Sequence, residues 1–178
     1  RFVLFLDGRP VARGPHRGLV AHWYYQTYEI TGLASGEHVM EAVCWQLGRH
    51  APLAQLSYRG GFILKAEGAY DAQLTTGKAA WEVGALANTH LTDIGTSRTF
   101  GVGSQCEIDG TSFANETPAR WAAATVVRPP LAPSPCGGRA PGWMLFPTER
   151  PDVTYAAKTP GRVVNAAADL TRPIVVPA

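Results

Sequence analysis

The chain has 178 residues, with 46% hydrophobic and only 17% charged, against a charged share of about 25% in ordinary globular domains. That balance excludes a disordered chain and a coiled coil, and a net charge of +2 with no basic block argues against nucleic acid as a partner. The 19 glycines and 14 prolines mean frequent turns, which suits an all-β domain better than a helical one.

No apolar run reaches the roughly 18 residues of a membrane-spanning helix, so no membrane partner is expected. The three cysteines, Cys44, Cys106 and Cys136, are odd in number and widely spaced. They make a poor disulfide framework and contain no zinc-binding pair, so reduced and mostly buried thiols are expected; that leaves the location open, with cytoplasmic favoured over secreted. No metal or cofactor motif occurs. The chain starts inside a strand-like run without an initiator Met, which reads as an excerpt of a longer protein.

In chain order, residues 1–6 and 9–13 are short β-prone runs around Asp7-Gly8. That dipeptide is a strong signal for a type I′ hairpin turn, which needs positive φ at both central residues. Residues 14–18 break the pairing, and residues 23–30, dense in Trp, Tyr, Thr and Ile, form the next strand. After a glycine-bounded turn, residues 37–47 read as a strand with Val39, Glu41, Val43 and Trp45 on one face. Met40, Ala42 and Cys44 share the other. Both faces are largely apolar, so the pattern predicts a central strand with Trp45 in the core and Glu41 open to burial. Gly48 and Pro52 end it, placing Arg49 and His50 on an exposed loop.

Further strands are expected at 62–67, 81–83, 121–128 and 143–146, with a hairpin in 68–78 and one helical turn in 86–100. Residues 129–141 carry too many Pro and Gly for a packed element. The tail offers only 162–165 and 174–176. Eight or more short strands without an amphipathic helix indicate a jelly-roll β-sandwich with under about 15% helix.

Catalytic signatures are missing: there is no nucleophile elbow, zinc-protease helix or phosphate loop. The fourteen acids form no local pair of the kind glycoside hydrolysis uses. The more informative cluster is His22-Trp23-Tyr24-Tyr25, because aromatic faces stack on sugar rings and neighbouring polar groups bind hydroxyls. The same aromatics serve equally well as sandwich core. The loop with Arg49 and His50 is the other surface candidate.

In order, FVLFLDGRPV at 2–11, Gly14-Pro15-His16-Arg17, WYYQTYEI at 23–30 and EHVMEAVCWQLGRH at 37–50 resemble the N-terminal region of bacterial α-L-rhamnosidases, a glycoside hydrolase family. Gly61 to Leu64, Trp81-Glu82-Val83 and GWMLFPTERPDV at 142–153 continue the series. The last stretch looks like the family's Trp-x-Leu-x-Pro-Arg-x-Ile-Pro closing sequence, although here Pro147 and Arg150 are separated and the Ile is missing. The resemblance implies a galactose-binding-domain-like jelly roll ahead of an (α/α)₆ barrel that holds the catalytic carboxylates. The expected organisation is a sandwich over 1–153 and a linker or next-domain start over 154–178.

The function implied is a non-catalytic accessory module of an α-L-rhamnosidase-like hydrolase, with the barrel as partner and no catalytic residue of its own. Two alternatives stand beside it. One is a carbohydrate-binding module that takes rhamnose-containing glycans on Trp23, Tyr24, Arg49 and His50; the other is a structural packing module without ligand.

Overall fold

A computed structural model describes residues 1–19, 22–52, 59–92, 105–109, 117–127, 143–151 and 156, without the side chains of Arg49 and Gln105. The chain divides after Thr148, and Arg1–Thr148 is the larger compact unit. The expected boundary at 153/154, the Pro-rich stretch and the tail strands fall outside the described residues, as does Cys136.

Among the described residues the secondary structure is dominated by strands. They are β1 (Phe2–Leu6), β2 (Arg9–Gly14), β3 (Trp23–Tyr25), β4 (Met40–Cys44), β5 (Glu82–Gly84), β6 (Thr89–Thr92), β7 (Gln105–Ile108), β8 (Trp121–Ala123) and β9 (Leu145–Pro147). One four-residue helix, α1 (Asp71–Leu74), and two 3₁₀ turns, Gly48–His50 and Gly68–Tyr70, complete them. The strands form a three-stranded sheet ordered β2-β1-β4 and three pairs, β3-β9, β5-β8 and β6-β7. This architecture is compatible with a β-sandwich.

The β1–β2 hairpin forms as its sequence requires. Asp7 and Gly8 both take positive φ, 50° and 73°, the mirror-image turn whose twist matches that of the flanking strands. Alternation then sets the faces. Leu4 and Leu6 are buried, as is Ala12 opposite Leu4 on β2. Ala42 and Met40 of β4 lie opposite the same two leucines, so this face of the sheet is the core face.

The other face corrects the reading of β4. The strand is five residues long and sits at the sheet edge, not at its centre. Val39, Val43 and Trp45 are 59%, 40% and 45% exposed, and Glu41 is exposed with them. An apolar pattern on both faces records which faces would gain from leaving water; it does not supply a second layer. Cys44 and Cys106 are likewise exposed free thiols, where the sequence predicts buried ones.

The core continues through aromatic edges. Phe2 on β1 meets Phe62 edge-on at 5.3 Å, and Phe62 meets Trp81 in the same way at 6.0 Å. The Trp81 indole donates to the Leu74 carbonyl at 2.9 Å, satisfying its one polar atom. Residues 62–67 form no ladder. Their backbone is taken by two threonines: Leu64 N–H donates to Thr76 Oγ1 at 3.2 Å and Ala66 N–H to Thr75 Oγ1 at 3.1 Å. Such hydroxyls compete with strand pairing, so the expected hairpin in 68–78 is instead a 3₁₀ turn running into α1. There the Asp71 carboxylate accepts from Thr75 Oγ1 and from the Lys78 ammonium. The helical turn expected in 86–100 is β6 over its described part.

A polar clasp holds β4 to the hairpin turn. Asp7 Oδ1 accepts the Val39 N–H at 2.9 Å, and Oδ2 accepts His38 Nδ1–H at 2.7 Å. His38 Nε2–H donates to the Ala34 carbonyl at 2.9 Å. Both ring nitrogens therefore donate, which requires the imidazolium form. The Ala34 carbonyl and then Asp7 hold the His38 pKa above its usual value. The Val39 N–H and then His38 hold Asp7 below its own.

The pH consequence follows from those directions. The Asp7 contribution is present above the carboxylate's ordinary 3.8 and is lost as pH falls through its lowered folded value. The His38 contribution is present below the ring's ordinary 6.5 and is lost as pH rises through its raised folded value. The melting-temperature gap between the wild-type chain and His38→Ala should therefore be widest between those two ordinary values. It should close on either side and shrink with added salt, because the pair lies at the surface. A gap constant from acid to alkaline pH would show that the clasp carries no charge.

Gly8 offers a cleaner test of the turn, since a Cβ there would meet nothing within 4 Å. Gly8→Ala should cost about 1 kcal/mol through its positive φ alone, measured by denaturant unfolding.

Candidate functional site

The parallel β3–β9 ladder pairs Trp23 with Leu145, Tyr24 with Phe146 and Tyr25 with Pro147. Trp23 N–H donates to the Met144 carbonyl at 2.8 Å, and Thr148 N–H donates to the Tyr25 carbonyl at 2.9 Å. Trp143 and Met144, just ahead of β9, are buried. Trp143 lies so close to Gly61 that a Cβ there would sit 3.2 Å from Cη2 of the indole. The close approach explains glycine at that position.

Alternation sorts the aromatics of this ladder. Tyr24 and Phe146 face one way, joined by His22 two residues earlier; Trp23 faces the other. The His22 ring lies flat on Phe146, with centroids 3.7 Å apart and planes 6° apart, and it is 5.0 Å from Tyr24. His22 is presented by the tight bridge between Leu19 and His22. It is exposed, while Tyr24, Phe146 and Trp23 are half-buried. The result is an aromatic surface with ring nitrogens at its rim, able to stack on the C–H face of a sugar and exchange hydrogen bonds with hydroxyls.

At the end of the ladder is a polar knot. His16 Nδ1 is 2.9 Å from Thr148 Oγ1, and Gln26 Nε2 is 3.5 Å from His16 Nε2. Gly14 borders it, since a Cβ there would come within 3.0 Å of Gln26 Oε1 and the Phe2 ring. All three polar side chains are half-buried.

The four residues singled out from sequence fall on two elements. Trp23 and Tyr24 belong to β3, on opposite faces. Arg49 and His50 belong to the 3₁₀ turn after β4, which opens on Gly48 at φ 52°. His50 is half-buried there, and its N–H donates to the Leu47 carbonyl at 2.9 Å. Sequence reading named His22 within its aromatic cluster but did not pair it with Phe146, nor His16 with Thr148. These are contacts across most of the chain, with no local periodicity to show them. Among the described residues no three His, Cys, Asp or Glu side chains gather as a metal site.

No family model, curated protein or solved structure matches the chain.

The His16–Thr148 contact generates a stability prediction. Thr148→Val should cost about 1 kcal/mol, the net worth of one hydrogen bond. In a double-mutant cycle with His16→Ala the two costs should be less than additive, because both remove the same bond. Full additivity in denaturant unfolding would place the two side chains in separate interactions.

Proposed function

We propose that this chain is a non-catalytic β module of an α-L-rhamnosidase-like glycoside hydrolase, supporting the catalytic domain or its recognition of substrate. One observation carries the reading. Three separate stretches that resemble the family, Gly14-Pro15-His16-Arg17, residues 23–30 and residues 142–153, meet in one place. His16 bonds Thr148, Trp23 N–H bonds Met144, and β3 pairs with β9. Segments that share an order in sequence and also a contact in space behave as parts of one module. In this reading the partner is a catalytic (α/α)₆ barrel, which holds the acids for hydrolysis.

A carbohydrate-binding role is the second reading, favoured by the exposed His22 stacked on Phe146 beside Tyr24. On that face a pyranose would stack on the rings, with its hydroxyls toward the His22 nitrogens.

The two roles separate in one set of measurements on the purified chain. An aryl α-L-rhamnoside should not be hydrolysed. Turnover that copurifies with the chain and disappears on changing one of its own acids would refute the accessory reading. Calorimetric titration with rhamnose-containing oligosaccharides addresses the second role. Heat that is abolished by His22→Ala and Tyr24→Ala, but not by Trp45→Ala, supports sugar binding; no heat at any of these sugars leaves the structural role.

A further inference from the structure

The three-stranded sheet has two edges, and they are built differently. On β2 the register breaks between Leu4 and Phe5, and Pro10 stands opposite Phe5. A bulge and a proline are the standard means of stopping a sheet from adding another strand. On β4 the register with β1 runs unbroken from Met40 to Cys44, with neither proline nor lysine in the strand.

The backbone directions on β4 are fixed by the bonds at its two ends. Asp7 N–H donates to the Val39 carbonyl, and Trp45 N–H donates to the Arg1 carbonyl. The odd-numbered residues therefore bond to β1, and Met40, Ala42 and Cys44 turn their N–H and C=O groups away from the sheet. Among the described residues these groups meet no ladder partner; the Ala42 carbonyl has only a long contact from its own strand's Cys44 Sγ at 3.8 Å. Beside this open edge lies the exposed apolar row of Val39, Val43 and Trp45.

We propose that β4 pairs with β4 of a second copy, antiparallel about a two-fold axis at Ala42. The strand is self-complementary in that register. Ala42 faces Ala42, and Met40 faces Cys44 of the second copy, so all three outward-facing residues exchange both backbone bonds. On the exposed face Val39 meets Trp45 of the second copy, and no like charges stand directly opposite. The closed two-fold contact joins the sheets into one of six strands and covers part of the apolar row from both sides. Only Glu41 opposes the arrangement, because it lies diagonal to its own copy at about 7–8 Å.

Sedimentation of the 178-residue chain over about a hundredfold concentration range should show a reversible monomer–dimer equilibrium. Ala42→Pro should leave it monomeric with its melting temperature nearly kept, since the Ala42 N–H is not used by β1. Glu41→Gln should tighten the dimer severalfold. Directly opposed residues of this kind have Cα atoms about 5.5 Å apart, within disulfide reach. Oxidised Met40→Cys should therefore give a dimer whose linked peptide joins position 40 to Cys44. A chain that is monomeric throughout would overturn the proposal. So would a dimer that Ala42→Pro leaves intact. If that variant does not fold, a missing 40–44 linkage in Met40→Cys overturns it on its own.

Discussion

The fold depends on a closure between residues about 120 positions apart. Bringing β9 to β3 costs chain entropy of about 4 kcal/mol by the logarithmic loop term alone. The ladder bonds, the His16–Thr148 contact and the burial of Trp143 and Met144 offset it; a buried large apolar side chain contributes about 1.5–3 kcal/mol. The closure also creates the aromatic surface. Without Phe146, His22 is an exposed ring at the end of a turn; with it, His22 is one side of a parallel stack.

The distance over which each contact acts explains how much was legible in the sequence. The β1–β2 hairpin was readable because its information is local: two β-prone runs and a dipeptide suited to positive φ. Its partner β4 was also readable as a strand, though its place in the sheet was not. Val39, Val43 and Trp45 obey the two-residue period of a buried face and yet lie exposed, because periodicity describes one strand and coverage belongs to its neighbours. Residues 62–67 have a strand's composition, but Thr75 and Thr76 supply hydroxyls that take their backbone groups first. The aromatic cluster around His22 was legible as a cluster. Its sorting into two faces needed only the period, whereas its partner Phe146 needed the long-range closure.

Stability should be distributed unevenly over these pieces. The three-stranded sheet has a buried face and a polar clasp. By contrast, every residue of β8 is exposed, and Val83 on the paired β5 is exposed as well. On β6–β7 the register places Thr89 and Leu91 on one face with Ile108 and Cys106, while His90 and Glu107 share the other. That ribbon is amphipathic, and its apolar side is open: Leu91 and Ile108 are both exposed. Two-stranded ribbons are marginal in water without packing on one face. Local opening should therefore begin in these ribbons and reach the β2-β1-β4 sheet last.

The β4 edge and the β3–β9 ladder present apolar surface of two kinds that call for different partners. On β4 it lies beside an open backbone edge, so a strand can satisfy hydrogen bonds and apolar surface together. On the β3–β9 ladder it consists of rings that already stack on one another, and their rim atoms are polar. A surface of that second kind gains little from a further strand, whose side chains would have to displace the stack. It suits a flat ligand that carries its own hydroxyls. The chemistry of each surface thus separates the two proposals: backbone groups at the β4 edge can take another strand, and aromatic faces with nitrogen at the rim can stack on a sugar.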